Sequence, residues 1–228
     1  MTLTQRIRDI QDSIQVACRR AGRNPSDVRL LAVSKMQPVA LIEEAYAIGV
    51  RDFGENYIQE LLEKRAKLRH LSEIQWHFIG HLQTNKAKVA ALNANYVHAV
   101  DSEKLVDALV KARQAFDAPL SIFIQVNLDD EPSKGGVSPT TVGFLADKIL
   151  KEKKLKLEGL MCIPKAHHSP EQMRPAFRAL SQMAADLAKS HVFSAPLQLS
   201  MGMSEDFEVA IEEGASWVRI GRKLFGDR

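Results

Sequence analysis

The sequence predicts an α/β protein in which eight parallel strands close into a (β/α)8 barrel. Two observations carry this. Apolar or β-branched runs occur at residues 28–34, 50–53, 74–79, 96–100, 120–128, 155–161, 197–199 and 217–220, and the stretches between them carry helical period. Strands alternating with helices pair in parallel, and eight is the number that favours closure. The rival is an open doubly wound sheet. Its dinucleotide-binding version is weakened because no G-x-G-x-x-G follows the first run. With no linker, internal repeat or low-complexity tract, residues 1–228 read as one domain.

Ahead of the first strand, Leu3, Ile7, Ile10, Ile14, Ala17 and Ala21 form the apolar stripe of an extra N-terminal helix. Thr2 and Gln5 fit a capping box, and Gly22 with Pro25 supplies the stop. Later helices show period at Leu105, Leu109, Ala112 and Phe116, and at Val142, Leu145 and Ile149. Their starts read as Ser138 before Pro139, Ser169 with Gln172, and Ser204 before Glu205 and Asp206. Gly214 reads as the stop of the helix begun at Ser204. Pro175 conflicts with a helix running on from Ser169 and predicts a kink or a later start.

Composition bounds the function classes. A hydrophobic share of 45% and a charged share of 26% suit a globular chain, and 228 residues bury a core without staples. Cys18 and Cys162 form no ligand pattern and read as reduced thiols of a cytoplasmic protein. The start MTLTQRIRDIQDSIQ lacks the apolar region of a leader, and no run approaches the roughly 18 apolar residues of a membrane helix. A net charge of +3 does not argue for nucleic acid. The basic run at 151–156 has no interleaved aromatics and reads as a solvated helix end before a strand.

A barrel works at the C-terminal ends of its strands. The first run ends in Lys35, on the same parity as Leu31 and Val33, so an amine follows two apolar residues on one face. Partial desolvation there lowers an amine's pKa and leaves a nucleophile able to form an imine with an aldehyde. A lysine snorkelling to solvent is the plain alternative, and Lys35 alone does not decide. The seventh run leads into Ser200-Met201-Gly202-Met203-Ser204 and the eighth into Gly221-Arg222. Loops in these places often cradle phosphate, with glycine, backbone N–H groups and hydroxyls as the means. Caps and turns explain the same residues, and Glu205 and Asp206 oppose an anion unless they point away. Arg219 shares the parity of Trp217 inside the last strand and needs a partner. A heteroaromatic nitrogen is one, and a barrel carboxylate such as Glu55 is another. Aldehyde, phosphate and ring nitrogen are the three handles of pyridoxal 5′-phosphate, and strands 1, 7 and 8 are adjacent in a closed barrel.

These residues resemble the YggS/PROSC-type pyridoxal phosphate homeostasis family, which looks like the barrel domain of alanine racemase, a fold-type-III-like arrangement without the second β domain. The resemblance runs through AVSKMQP at 32–38, FGENYIQE at 53–60, WHFIGHLQTNK at 76–86, VNLDDEPSKGG at 126–136, LEGLMCIP at 157–164 and LSMGMSEDFEVAIEEGASWVRIGRKLFG at 199–226. It implies a Schiff base on Lys35, Arg219 facing the pyridine nitrogen, and phosphate contacts from Ser200, Ser204, Gly221 and Arg222. It also implies that Asn56 lines the ring with Met201 close by. Arg222 stands where such proteins often carry threonine, so a guanidinium replaces a hydroxyl.

Two functions use the same site: a carrier that holds the cofactor for dependent apo-enzymes, and an amino-acid racemase. Racemisation benefits from a base on each face, and Lys35 supplies one. The chain as read ends soon after the eighth strand, which predicts no second domain and a monomer. Of Tyr46, Tyr57 and Tyr96, only Tyr57 follows the working, C-terminal end of a strand; Tyr46 falls in a helix pattern and Tyr96 begins a strand. The carrier is therefore the favoured reading, without catalytic residues. A third reading, an aldolase-like barrel, lacks an acid/base pair near Lys35. His77 and His81 suggest no metal site, and the His167–His168 pair and Lys134 read as solvated surface residues.

Overall fold

The computed structural model describes residues 1–129, 135–165, 169–193 and 195–226. Lys134, His167 and His168 lie outside the described residues. Strands β1 (Arg29–Val33), β2 (Asp52–Glu55), β3 (Gln75–Phe78), β4 (Tyr96–Val100), β5 (Leu120–Val126), β6 (Leu155–Cys162), β7 (Gln198–Ser200) and β8 (Trp217–Ile220) form a closed barrel in sequence order. Every neighbouring pair is parallel, and β8 returns to β1 with Leu31 opposite Arg219. Each predicted run is a strand, displaced at its ends by no more than a few residues.

Strand alternation separates two apolar regions. Leu31, Ile79, Ala99, Phe123, Met161 and Trp217 pack inside the barrel, with Val33 and Tyr96 against them. The opposite strand faces, including Ala32, Phe53, Trp76, Phe78, Val97, Ile122 and Ile220, meet the surrounding helices. Two register shifts alter the alternation. One lies between Val97 and Val100 of β4, the other where Ile122 and Phe123 meet β6. The first lets both His98 and Ala99 contact the interior.

The outer layer among the described residues comprises α1 (Leu3–Arg20), α2 (Val39–Ala47), α3 (Ile58–Lys67), α4 (Ala87–Asn93), α5 (Glu103–Arg113), α6 (Val142–Leu150), α7 (Arg174–Ser190), α8 (Phe207–Glu212) and α9 (Arg222–Phe225). Helix α1 is the added element. Its stripe is buried, and Arg20 bonds Glu208 and Glu212 of α8 at 2.9 and 2.7 Å. Thr2 caps it by accepting from Gln5 N at 3.2 Å, whereas the Gln5 side chain donates to Asp9, so only half the expected capping box forms. Pro175 lies in the first turn of α7, the later start its ring demands, after a short 3-10 turn at Pro170–Met173. One start is corrected: α8 begins at Phe207 with Asp206 at its cap position, not at Ser204, whose hydroxyl accepts from Lys223 N at 3.3 Å. Gly214 ends α8 at φ +107°, as predicted. No described helix is long and apolar enough to cross a membrane.

Candidate functional site

A cavity of about 820 Å³ opens at the C-terminal ends of the strands. Its wall includes Lys35 just after β1, Asn56 just after β2, Ser204 after β7, Arg219 within β8, and Gly221 and Arg222 just after it. Six of the eight residues singled out in the sequence thus share one cavity. Ser200 and Met201 are fully buried and do not line it. Met201 packs into the shell with Phe207 and Ala210, and Ser200 lies behind Arg219. Tyr57 is 53% exposed and does not line the cavity.

Arg219 is buried, and its bonds are to neutral oxygens. Nη1 donates to Ser200 O at 2.6 Å and Ser200 Oγ at 3.0 Å, and Nη2 donates to Cys162 O at 2.9 Å. The Glu55 alternative is corrected: that carboxylate faces away, toward Lys64. Burial lowers the guanidinium's pKa, yet arginine stays charged in proteins. Three of its five N–H donors are engaged, leaving two, and Arg219 itself lines the cavity.

Two acids, Glu205 and Asp206, also line the cavity. Asp206 Oδ1 accepts from Met203 N at 2.6 Å, and burial pushes its carboxyl pKa up. Glu205 is exposed, with its carboxylate 3.7 Å from Arg222 Nη2. On the far wall, Asn56 Oδ1 is buried without a hydrogen-bond partner. Its backbone is held against Gly80, where a Cβ would lie 2.2 Å from Asn56 O. An unsatisfied buried carbonyl costs roughly 1–3 kcal/mol, so its presence at a cavity marks a place for a donor from a ligand.

Residues 6–228 match the family model described as alanine racemase, N-terminal domain. The chain belongs to that family. A pyridoxal phosphate homeostasis protein of Pseudomonas aeruginosa is 43% identical over 227 residues, which are 100% of this chain and 96% of the relative. The structure of PipY from Synechococcus elongatus, solved with PLP bound, superposes with a TM-score of 0.84 at 34% identity, over 99% of this chain and 100% of that one. A Clostridium difficile alanine racemase superposes at 0.70 with 13% identity over 95% of this chain and 57% of its own, a likeness of fold.

In this alanine-racemase-type barrel the Lys35 turn is clamped from behind. Lys64 of α3 donates to Ser34 O at 2.7 Å, Glu55 Oε1 at 2.9 Å and Glu60 Oε2 at 2.7 Å. Ser34 Oγ donates to Glu55 at 2.6 Å, and Met36 N donates to Glu60 at 2.7 Å. The residues on both sides of Lys35 are thereby fixed, with Met36 held at φ +59°, a conformation that favours glycine. Desolvation raises the Glu55 carboxyl pKa, against its bonds to Ser34 and Lys64. Lys64, a residue the sequence did not single out, is only 5% exposed.

The barrel floor holds a histidine pair, of which only His77 was weighed from the sequence, as a metal ligand. His77 and His98 are fully buried and bonded to each other at 2.9 Å. Burial lowers both imidazole pKa values, His98 well below 6.5, while Asp52 partly offsets the effect at His77. Both are therefore neutral when folded at pH 7. Below about pH 6.5 the unfolded chain takes up protons that the folded chain refuses, so their contribution to stability is lost as pH falls. Each group costs up to about 1.4 kcal/mol per pH unit. We expect the urea stability to be roughly 1 kcal/mol lower at pH 6 than at pH 7, and the His98 ring to stay neutral below pH 6.5. A His98 ring titrating near 6.5 contradicts this.

Proposed function

We propose that the chain binds pyridoxal 5′-phosphate in the barrel mouth, covalently through Lys35, and holds it for transfer to apo-enzymes without turning over a substrate. The observation that carries the reading is one cavity wall bearing an amine at Lys35, two remaining donors on buried Arg219, and the orphaned carbonyl of Asn56. The names of the relatives and the bound ligand of PipY support it. The cofactor supplies an aldehyde and an electron-withdrawing ring. Lys35 adds its amine to that aldehyde with loss of water. Arg219 meets the pyridine nitrogen as a donor and keeps it unprotonated, because a proton there would place two cations side by side. Asn56 Oδ1 accepts from the ring substituents. Ser204, Gly221 and Arg222 hold the phosphate, with Ser200 and Met201 supporting from behind.

Three features favour a carrier over a racemase. Neither tyrosine nor histidine lines the cavity among the described residues, and of the two acids that do, Asp206 is tied to Met203 N and Glu205 is paired with Arg222. Both acids are thus engaged by other groups, which disfavours a second base facing Lys35. The two cysteines are buried and unpaired, which suits a reducing cytoplasm, and we carry forward a monomer. The test is transfer: loaded protein mixed with an apo-enzyme restores that enzyme's activity faster than release into buffer allows. Racemase turnover that Lys35→Ala abolishes would overturn the carrier reading.

Arg222 bears on retention. Its side chain is 65% exposed, so its charge is screened, and an exposed pair contributes about 0.5–1 kcal/mol. Arg222→Thr is expected to release pyridoxal phosphate roughly three times faster, with a shallower salt dependence. Pyridoxal lacking phosphate serves as the control, and its release stays unchanged.

A further inference from the structure

Arg219 is one end of a hydrogen-bonded line through the barrel. Its Nη1 lies 3.0 Å from Ser200 Oγ, Ser200 Oγ 2.9 Å from His98 Nδ1, His98 Nε2 2.9 Å from His77 Nδ1, and His77 Nε2 3.0 Å from Asp52 Oδ1. Five strands contribute: β8, β7, β4, β3 and β2. Aromatic rings wall the line. His77 stacks on Tyr96 with centroids 4.3 Å apart, His98 stacks on Phe123 at 4.3 Å, and Trp217 packs against both histidines. At the far end of the line Asp52 reaches solvent, with 23% side-chain exposure.

The ends determine the direction. An arginine can only donate and a carboxylate can only accept. With neutral imidazoles, His77 must donate from Nε2 to Asp52 and accept at Nδ1. His98 must then donate from Nε2 and accept at Nδ1. Ser200 must donate to His98 while accepting from Arg219. Every link is satisfied in one order, from cation to anion, and no link is satisfied in reverse. Such a line polarises in one sense and connects a buried cation to a carboxylate that does not touch it.

We propose that Asp52, His77, His98 and Ser200 are positioning residues for Arg219, acting on the cavity from the opposite end of the barrel. The one-way line fixes the Ser200 hydroxyl, which holds Nη1 and turns the remaining donors of Arg219 to the ligand. It also explains why Ser200 does not face the cavity: its proton is committed to His98. The consequence for a bound cofactor rests on the reading under Proposed function, whereas the line itself does not.

The two are tested separately. In cofactor-free protein carrying 15N-histidine, long-range 1H–15N correlation at pH 7 is expected to show His77 and His98 as neutral rings protonated on Nε2. The variants His77→Gln and His98→Gln supply assignments, and should either fail to fold, proximity of the ring protons to those of Phe123 identifies His98 and to those of Tyr96 identifies His77. A proton on Nδ1 of either ring, or an imidazolium, overturns the line. In protein loaded with pyridoxal phosphate, Asp52→Leu removes the terminal acceptor. We expect the absorption band and the 15N shift of the pyridine nitrogen to move, with Kd raised about fivefold, and Asp52→Glu to restore both. An unchanged band and nitrogen shift in folded Asp52→Leu overturns the action at the cavity. If wild-type protein forms no adduct on Lys35, the cofactor reading fails and the tautomer result still decides the line.

Discussion

Replacing Lys64 by methionine is expected to cost about 3–5 kcal/mol of stability, because it leaves Glu55 buried and uncompensated. The Glu55 side chain is 0% exposed, and its Oε2 already lacks a partner. For a chain of this size the midpoint of thermal unfolding should fall by roughly 10 °C. The loss reaches the cavity as well. Lys64 is bonded to Ser34 O and to Glu60, and Glu60 in turn holds Met36 N, so the turn that presents Lys35 loses its grip on both sides. The double variant Lys64→Met/Glu55→Gln separates the two effects. It removes the unpaired charge and should recover most of the stability, while capture of the aldehyde stays slower than in wild type. Urea unfolding and the rate of adduct formation measure the two. Wild-type capture in the double variant would show that the clamp serves stability alone.

Gly159→Ala is expected to prevent the barrel from closing. A Cβ at this position would lie 1.8 Å from Gln198 O and 2.6 Å from Gln198 C, inside the backbone of the neighbouring strand. Strand β7 has three residues, and its register against β6 rests on Gly159–Gln198, Leu160–Leu199 and Met161–Ser200. Displacing Gln198 therefore shifts the whole strand. It carries off Ser200, whose carbonyl and hydroxyl seat Arg219. The penalty belongs with the overpacking and backbone effects that exceed about 4 kcal/mol. Loss of cooperative unfolding, or failure to recover folded protein, is the expected result. A variant with wild-type circular dichroism and unfolding midpoint would show that β6 and β7 can separate freely.

What was legible in the sequence follows from what is local. The strand runs and helical stripes are periodic in the chain, so the eight-fold alternation and the place of Lys35 could be read directly. Parity put Lys35 and Arg219 on inward faces because strand alternation needs no tertiary information. The errors concern residues whose role depends on neighbours distant in sequence. Ser204 has a cap's composition, but its hydroxyl is taken by Lys223 N and the helix starts later, at Phe207. Ser200, expected to contact phosphate, lies outside the cavity lining, with its hydroxyl bonded to His98 and Arg219. Lys64 was not singled out at all: it sits four residues from Glu60 in a charged helix, the pattern of a solvated pair, and its burial arises only where α3 meets the β1 turn. A signal for the histidines was nonetheless present. Asp52, His77 and His98 are polar residues set among apolar ones in consecutive strands, and a barrel interior requires such residues to satisfy one another. The irregularity in β4 hid the parity of His98.

The account rests on Lys35 as the covalent anchor. Borohydride reduction of wild-type protein with pyridoxal phosphate, followed by peptide mass mapping, tests this most directly. A reduced phosphopyridoxyl adduct on the Lys35 peptide, absent from Lys35→Ala, is the predicted result. Folded protein with excess cofactor and no adduct at Lys35 would contradict it.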